Sequence, residues 1–217
     1  MVRHIFPKDD DTSSTLVDCF KKMCLAIFQL RSSELLPREV FKIGYEGNPH
    51  GAGYMFVENG KLIVKKPFWS WWKVYENYVK DFRRCGSSSH FAIHFRLATE
   101  GSIGASNCHP HEIIPSKLAL IHNGILWIEY EPPFDPKEDK SDSAQFASYL
   151  SHYLDNFLTT DCKKELESLI GDWNKIVLMD SENNFMILNE GNGYWKDGAW
   201  YSGFVKGITE EKEEDNV

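Results

Sequence analysis

The dipeptide Asn59-Gly60 constrains this chain more than any other feature of it. It sits between two apolar runs in "GAGYMFV-ENGK-LIVKK". Both residues tolerate the positive φ angles of a tight turn, so the flanking runs are expected to pair as a β-hairpin. The segment "HFAIHFRLAT" adds a second strand signal, because it alternates with period two. Phe91, Ile93, Phe95 and Leu97 face one way, and His90, Ala92, His94, Arg96 and Ala98 face the other.

Shorter signals fill in around these two. "LAIFQL" reads as a buried strand, and "LALIHNGILWI" as another that is broken by Asn123-Gly124. "NKIVLMD-SENN-FMILNEG" reads as a second hairpin and "GAWYSGF" as a last strand. Two stretches are expected to be helical. "SWWKVYENYVKDFRRC" spaces Trp72, Tyr75, Val79 and Phe82 along one face. "SDSAQFASYLSHYLDNFL" opens on a capping-type serine. Strands, then helices, then strands fit stacked layers better than a βαβ alternation. The expected class is α+β, a sandwich of mainly antiparallel sheets.

At 217 residues, 42% of them hydrophobic, the chain is long enough for one domain with a core of its own. No internal repeat or long linker divides it. The net charge is −8, and the run "EEKEED" holds about half of it, so the end reads as a solvated tail. An acidic chain without a basic stripe is a poor partner for nucleic acid. Cys19, Cys24, Cys85, Cys108 and Cys162 are scattered and never form C-x-x-C. They are expected to be reduced thiols of a cytoplasmic protein. No apolar run has the length of a membrane span, and "MVRHIFPKDDDTSS" lacks the apolar core of a secretory signal.

Several residues could carry chemistry. Arg96 is either solvated or holds an anion, and its fork suits a carboxylate. Asn123-Gly124 is either a turn or an oxyanion hole, in which a carboxamide and a close-approaching backbone N–H meet one oxygen. Asp142 either caps the helix starting near Ala144 or receives an ammonium group. His90, His94, Cys108, His109, His111 and His122 invite a metal, but neither H-E-x-x-H nor C-x-x-C is present, so no metal is expected. No G-x-S-x-G elbow supports a serine hydrolase, and the glycines of "GSIGASN" and "GNG" do not open a helix as a phosphate loop requires.

Taken in order, "MCLAIF", "NPHGAGYMF", "HFRLATEGS", "NCHPH", "LALIHNGIL", "SDSAQFASYL" and "VLMDSENNFMILNEG…WYSG" resemble the class II glutamine amidotransferase domain, one of the N-terminal-nucleophile hydrolases. The resemblance covers roughly residues 23 to 204. "NPHGAG" is most similar to the small stand-alone branch of that family. A histidine after the proline of "HPH", where the family usually has an aromatic residue, is a departure that bears on the pocket wall.

The resemblance implies a four-layer αββα sandwich, two antiparallel sheets flanked by helices. It implies that Cys24 is the nucleophile and its own α-amine the base. An amine near pH 8 and a thiol near 8.5 exchange a proton cheaply. It further implies that Asn123 and Gly124 stabilise the oxyanion. Arg96, with Thr99 and Gly101 shaping its loop, would hold the α-carboxylate of glutamine, Asp142 its ammonium, and His122 would join the substrate-binding set. No cofactor is implied. The released ammonia would go to a separate synthase.

Such chemistry needs a free amine on Cys24, so residues 1–22, which have no evident structural role, are expected to be a propeptide or to precede the true start at Met23. The catalytic domain is then 23–207 and the acidic tail 208–217. Two other functions stay open: an amidase for another γ-glutamyl or amide compound, and an inactive binding protein that keeps its leader.

Overall fold

Phe91, Ile93 and Phe95 do alternate with Ala92 and His94 across a strand, and both faces of that strand are buried. In the computed structural model the residues described are 3–4, 24–99, 101–130, 137, 139–153 and 160–209. Twelve strands and four α-helices lie among them. The strands are β1 (Arg3–His4), β2 (Leu25–Gln29), β3 (Ala52–Glu58), β4 (Lys61–Phe68), β5 (Phe91–Phe95), β6 (His111–Ile114), β7 (Leu118–Asn123), β8 (Ile128–Glu129), β9 (Lys175–Asp180), β10 (Phe185–Leu188), β11 (Tyr194–Lys196) and β12 (Ala199–Tyr201). The helices are α1 (Arg38–Gly47), α2 (Trp71–Cys85), α3 (Asp142–Tyr153) and α4 (Thr160–Ile170).

Two large antiparallel sheets result among the described residues, ordered β11-β12-β2-β5-β3-β4 and β10-β9-β7-β6, beside the small pair β1-β8. The expected hairpins are present: β3 pairs with β4 across Asn59 and Gly60, whose φ angles are 53° and 69°, and β9 pairs with β10. The period of two sorts side chains between compartments. Ala26, Phe28, Met55 and Ala92 from one sheet meet Ala119, Ile121, Val177 and Met179 from the other, forming the inter-sheet core. Ile27, Tyr54, Phe56 and Ile93 point outward under Val40 and Phe41 of α1 and Val74 and Tyr78 of α2. Leu120, Ile176 and Leu188 point outward under Phe146 of α3 and Leu166 of α4. The chain is thus an α+β sandwich with a helix layer on each outer side.

Helix α2 turns a different face inward from the one its aromatic residues suggested. Val74, Tyr78, Asp81 and Cys85 are buried, Tyr75, Val79 and Phe82 flank them, and Trp72 is half exposed. The surprise is Asp81. It accepts hydrogen bonds from the Tyr54 hydroxyl (2.5 Å), Lys65 Nζ (2.6 Å) and Arg84 Nη2 (2.9 Å), which supply the partners that a buried carboxylate needs.

Ser141 caps α3 as expected, its hydroxyl accepting from the Ala144 N–H at 3.3 Å. The strand through residues 118–128 ends at Asn123, with Gly124 at φ 145°. β6, β11, α1 and α4 had no counterpart in the sequence reading. Residues 3–4 of the expected leader form β1, which pairs with β8. Ile208 and Thr209, assigned to the tail, are packed, and the Thr209 hydroxyl accepts from the Val205 N–H at 2.8 Å. The rest of the leader through Met23, residues 154–158 of the expected second helix and residues 210–217 of the tail lie outside the described residues.

Candidate active site

Where the two sheets end side by side, a cleft is lined by Cys24, Arg96, Leu97, Thr99, His109, His122, Gly124, Ser141, Asp142 and Ser143. Strand pairing explains much of this convergence. Leu25 pairs with Phe95, so one further step of the same antiparallel ladder sets Cys24 across from Arg96. In the other sheet Asn123 pairs with Lys175, and one further step sets Gly124 across from Asn174.

Cys24 is partly exposed, yet its sulfur is held against the backbone. The thiol donates to the Leu97 carbonyl at 3.3 Å and accepts from the Leu97 N–H at 3.2 Å. Burial pushes its pKa up to about 11, against the Leu97 hydrogen bond and the Arg96 charge, which lower it. The carboxylate of Asp142 adds to the rise.

Arg96 follows β5 directly and is buried, at 3% exposure. Its Nη1 donates to the Ser102 carbonyl at 3.0 Å, and its backbone pairs with Gly51 and His50. Burial lowers its pKa, while the Cys24, Cys108 and Asp142 groups raise it. The expectation of a strand-centre arginine gives way to one at the strand's end, pointing into the cleft that Cys24 shares. Thr99 lines the cleft from the exposed side. Gly101, at φ 69°, is not among the lining residues. It lets the arginine loop pack on the start of α3, because a Cβ there would meet the Ser141 N–H and the Asn107 carboxamide, each at 2.8 Å.

Asp142 is the first residue of α3. Its Oδ1 accepts from the Ser143 N–H (2.6 Å) and its Oδ2 from the Leu126 N–H (2.7 Å), so the carboxylate is fixed on both oxygens with lone pairs left over. Asn123 and Gly124 close the end of β7. The Asn123 carboxamide donates to the Ser202 hydroxyl at 2.7 Å, and that hydroxyl also accepts from the Ala26 N–H at 2.9 Å. Asn123 Oδ1 is buried and lacks a partner. Gly124 leaves no room for a Cβ, which would collide with Asn174 Oδ1. The side chain of His122 is engaged on both ring nitrogens, with Ser143 Oγ at 2.8 Å and Asn174 Oδ1 at 2.9 Å. His122 lines the cleft with both ring nitrogens already partnered within the protein.

Asn107 and Ser202, like Asn174, escaped the sequence reading, and His109 entered it only as a candidate metal ligand. Asn107 is fully buried and bridges the arginine loop to α3: Nδ2 donates to the Ser102 carbonyl (3.2 Å) and the Asp139 carbonyl (2.8 Å), and Oδ1 accepts from the Ser141 N–H (2.9 Å). It opens the motif "NCHPH". His109 lines the cleft and accepts on Nδ1 from the His122 N–H at 3.2 Å, which places its proton on Nε2. Burial holds its pKa well below the ordinary histidine value. Ser202 carried no signal beyond its place in "WYSG". Among the described residues no group of three or more His, Cys, Asp or Glu side chains converges as metal ligands would. Nor is any described helix long and apolar enough to cross a membrane.

Comparison with known proteins finds distant relatives. The chain is 26% identical over 173 residues to glutamine–fructose-6-phosphate aminotransferase (isomerizing) of Bacillus spizizenii. It is 27% identical to the enzyme of the same name from Bacillus licheniformis and 25% to that from Bacillus subtilis. Each alignment covers 74% of this chain and 27% of the relative, so the chain spans about a quarter of the length of these curated relatives. No family model matches it. The relation is to glutamine-dependent aminotransferases, at a distance.

Proposed function

We propose that this chain is a class II glutamine amidotransferase domain with an N-terminal-nucleophile fold, hydrolysing the side-chain amide of glutamine at Cys24 and releasing ammonia for a partner synthase in the cytoplasm. The observation that carries the reading is one cleft that gathers Cys24, Arg96, Gly124 and Asp142 from four separate segments. The distant likeness to glutamine-dependent aminotransferases supports it.

Glutamine enters with its α-carboxylate on Arg96 and its α-ammonium on Asp142, and Thr99 closes the carboxylate side. Two opposite charges fixed in one cleft select a zwitterionic head group. The thiol then loses its proton to the α-amine of Cys24 and attacks the side-chain carbonyl. A C–S bond forms and the carbonyl becomes an oxyanion. The Gly124 N–H is one donor to it. Asn123 does not itself line the cleft, and it becomes the other donor if its carboxamide is turned over, so that its oxygen accepts from the Ser202 hydroxyl and its NH₂ takes the orphaned position, and then swings towards Gly124. The ammonium of Cys24 returns its proton to the departing nitrogen, the C–N bond breaks and ammonia leaves. Water hydrolyses the γ-glutamyl thioester, giving glutamate and the free thiol.

Burial changes the energetics expected from unperturbed groups. Burial raises the thiol above the range of an α-amine, so the transfer is uphill. The attraction between the new thiolate and the ammonium beside it offsets part of this. An amide nitrogen offers no such base. While Met23 remains joined to Cys24, the same cleft binds glutamine without turning it over. Exposing that amine takes the loss of residues 1–22, by cleavage or because the true start is Met23, together with the loss of Met23 itself, and the catalytic domain 23–207 is extended by the packed Ile208 and Thr209.

The test is ammonia release from glutamine by protein beginning at Cys24, beside protein that keeps residues 1–22 and a Cys24→Ala variant. Release by the first alone is expected, together with labelling of Cys24 by a glutamine-mimicking electrophile. Activity that survives in Cys24→Ala would remove the assignment. Turnover of other γ-glutamyl amides but not glutamine would redirect it to a plain amidase.

A further inference from the structure

We propose that Asn174 is a positioning residue for the cleft: acting through His122 and Ser143, it holds Asp142 open for a substrate ammonium and forms the floor beneath Gly124. This rests on the amino-acid head-group reading of the cleft given above.

The chain of contacts has a fixed direction. Asn174 Nδ2 donates to the Ile170 carbonyl at 2.6 Å, which turns its Oδ1 towards His122 Nε2 at 2.9 Å. Oδ1 is an acceptor only, so Nε2 must carry the proton. Burial lowers the pKa of His122 and keeps the ring neutral, so Nδ1 is left with a lone pair. The partner of Nδ1 is Ser143 Oγ at 2.8 Å, and the hydroxyl therefore donates to the ring. Asp142 Oδ1 is the alternative acceptor for that hydroxyl, at 3.1 Å.

A serine hydroxyl has one proton to give. Because Asn174 commits His122 to the Nε2–H form, the proton goes to the ring, and Asp142 is left with its two backbone donors, Leu126 N–H and Ser143 N–H. The remaining lone pairs are then available to an ammonium. Reversing the tautomer, or charging the ring, makes Nδ1 a donor and swings the hydroxyl onto Asp142. All four side chains are at least nine-tenths buried, so water does not substitute for a missing partner. The same two groups also bound Gly124, whose hypothetical Cβ would lie 2.9 Å from His122 Nε2 as well as striking Asn174.

Two measurements on the full chain test this. Nitrogen NMR of the labelled histidines should find His122 as the neutral Nε2–H tautomer, and as an imidazolium in Asn174→Asp, where a carboxylate faces Nε2. Glutamine binding by calorimetry should weaken roughly ten- to a hundredfold in Asn174→Asp, the loss expected when a charged hydrogen bond is compromised. Adding Ser143→Ala to that variant removes the competing hydroxyl and should recover most of the affinity. A neutral Nδ1–H ring in the unsubstituted chain overturns the proposal, as does unchanged affinity in Asn174→Asp or no recovery in the double variant. If glutamine does not bind the unsubstituted chain at all, the head-group reading falls, and the tautomer measurement still decides whether Asn174 sets the ring.

Discussion

Cys24 and Leu97 grip each other from both sides, the thiol donating to the Leu97 carbonyl at 3.3 Å while the Leu97 N–H donates back to the sulfur at 3.2 Å. Ionising the thiol breaks the first contact and strengthens the second. Together with burial, this makes Cys24 reluctant to ionise without a base at its side. In protein that keeps residues 1–22, alkylation of Cys24 followed by peptide mass mapping should be slow at pH 8 and climb towards pH 11. Exposing the α-amine should raise the rate at pH 8 at least tenfold.

Arg96→Lys keeps the charge but loses the planar fork. If the guanidinium holds the α-carboxylate in two parallel bonds, KM for glutamine should rise about 10- to 100-fold while kcat moves less. Steady-state ammonia release by the Cys24-initiated protein reads both constants. A larger loss in kcat than in KM would place Arg96 nearer the reacting amide than its position beside Ser102 suggests.

Acid should destabilise the fold early. Burial lowers the pKa of His90 to about 4 and of His94 to about 3, and holds His109 and His111 well below the ordinary value. The unfolded chain takes up these protons below about pH 6.5, whereas the native state does not. Stability is therefore complete above pH 6.5 and falls as pH drops towards 3, by up to about 1.4 kcal/mol per pH unit for each histidine. Urea midpoints at pH 7 and 5.5 should differ clearly. His94→Gln should flatten the slope by about one proton's worth.

The carboxylate of Asp81 is expected to be costly to remove. Asp81→Ala strands the Tyr54 hydroxyl, which is buried, and leaves Lys65 without its 2.6 Å partner. A loss of about 3–5 kcal/mol is expected in urea unfolding. Tyr54→Phe, which deletes only one donor, should cost less, about 1.5–3 kcal/mol.

Asp81 also marks where the sequence stops being legible. Strand signals that depend on alternation and turn chemistry read well: Asn59-Gly60 and the run through Phe95 specify hairpin and faces by themselves. The cap on α3 was legible for the same reason, since Ser141 acts within four residues of its own position. Partners distant in sequence were not legible. Nothing around Asp81 announces Tyr54 and Lys65, so its helix face looked solvated. Within the candidate site Arg96, Gly124 and Asp142 are legible by residue type and Cys24, Thr99 and His122 only through the resemblance, whereas Asn107, Asn174 and Ser202 were missed. Each of these acts on a neighbour rather than on a ligand, and an asparagine that braces a loop has the same letter as one on a surface. Strand β1 went unseen because two residues carry no period.

Ser202 is a rivet between the two sheets. Its hydroxyl joins Ala26, the second residue after the candidate nucleophile, to Asn123 at the tip of the opposing sheet. The sulfur and its proposed oxyanion donor thus travel on separate slabs whose alignment depends on the packing between them. A sideways slip too small to expose the core would already mismatch them, so catalytic competence should gauge how well the slabs are seated and fade before the sandwich comes apart.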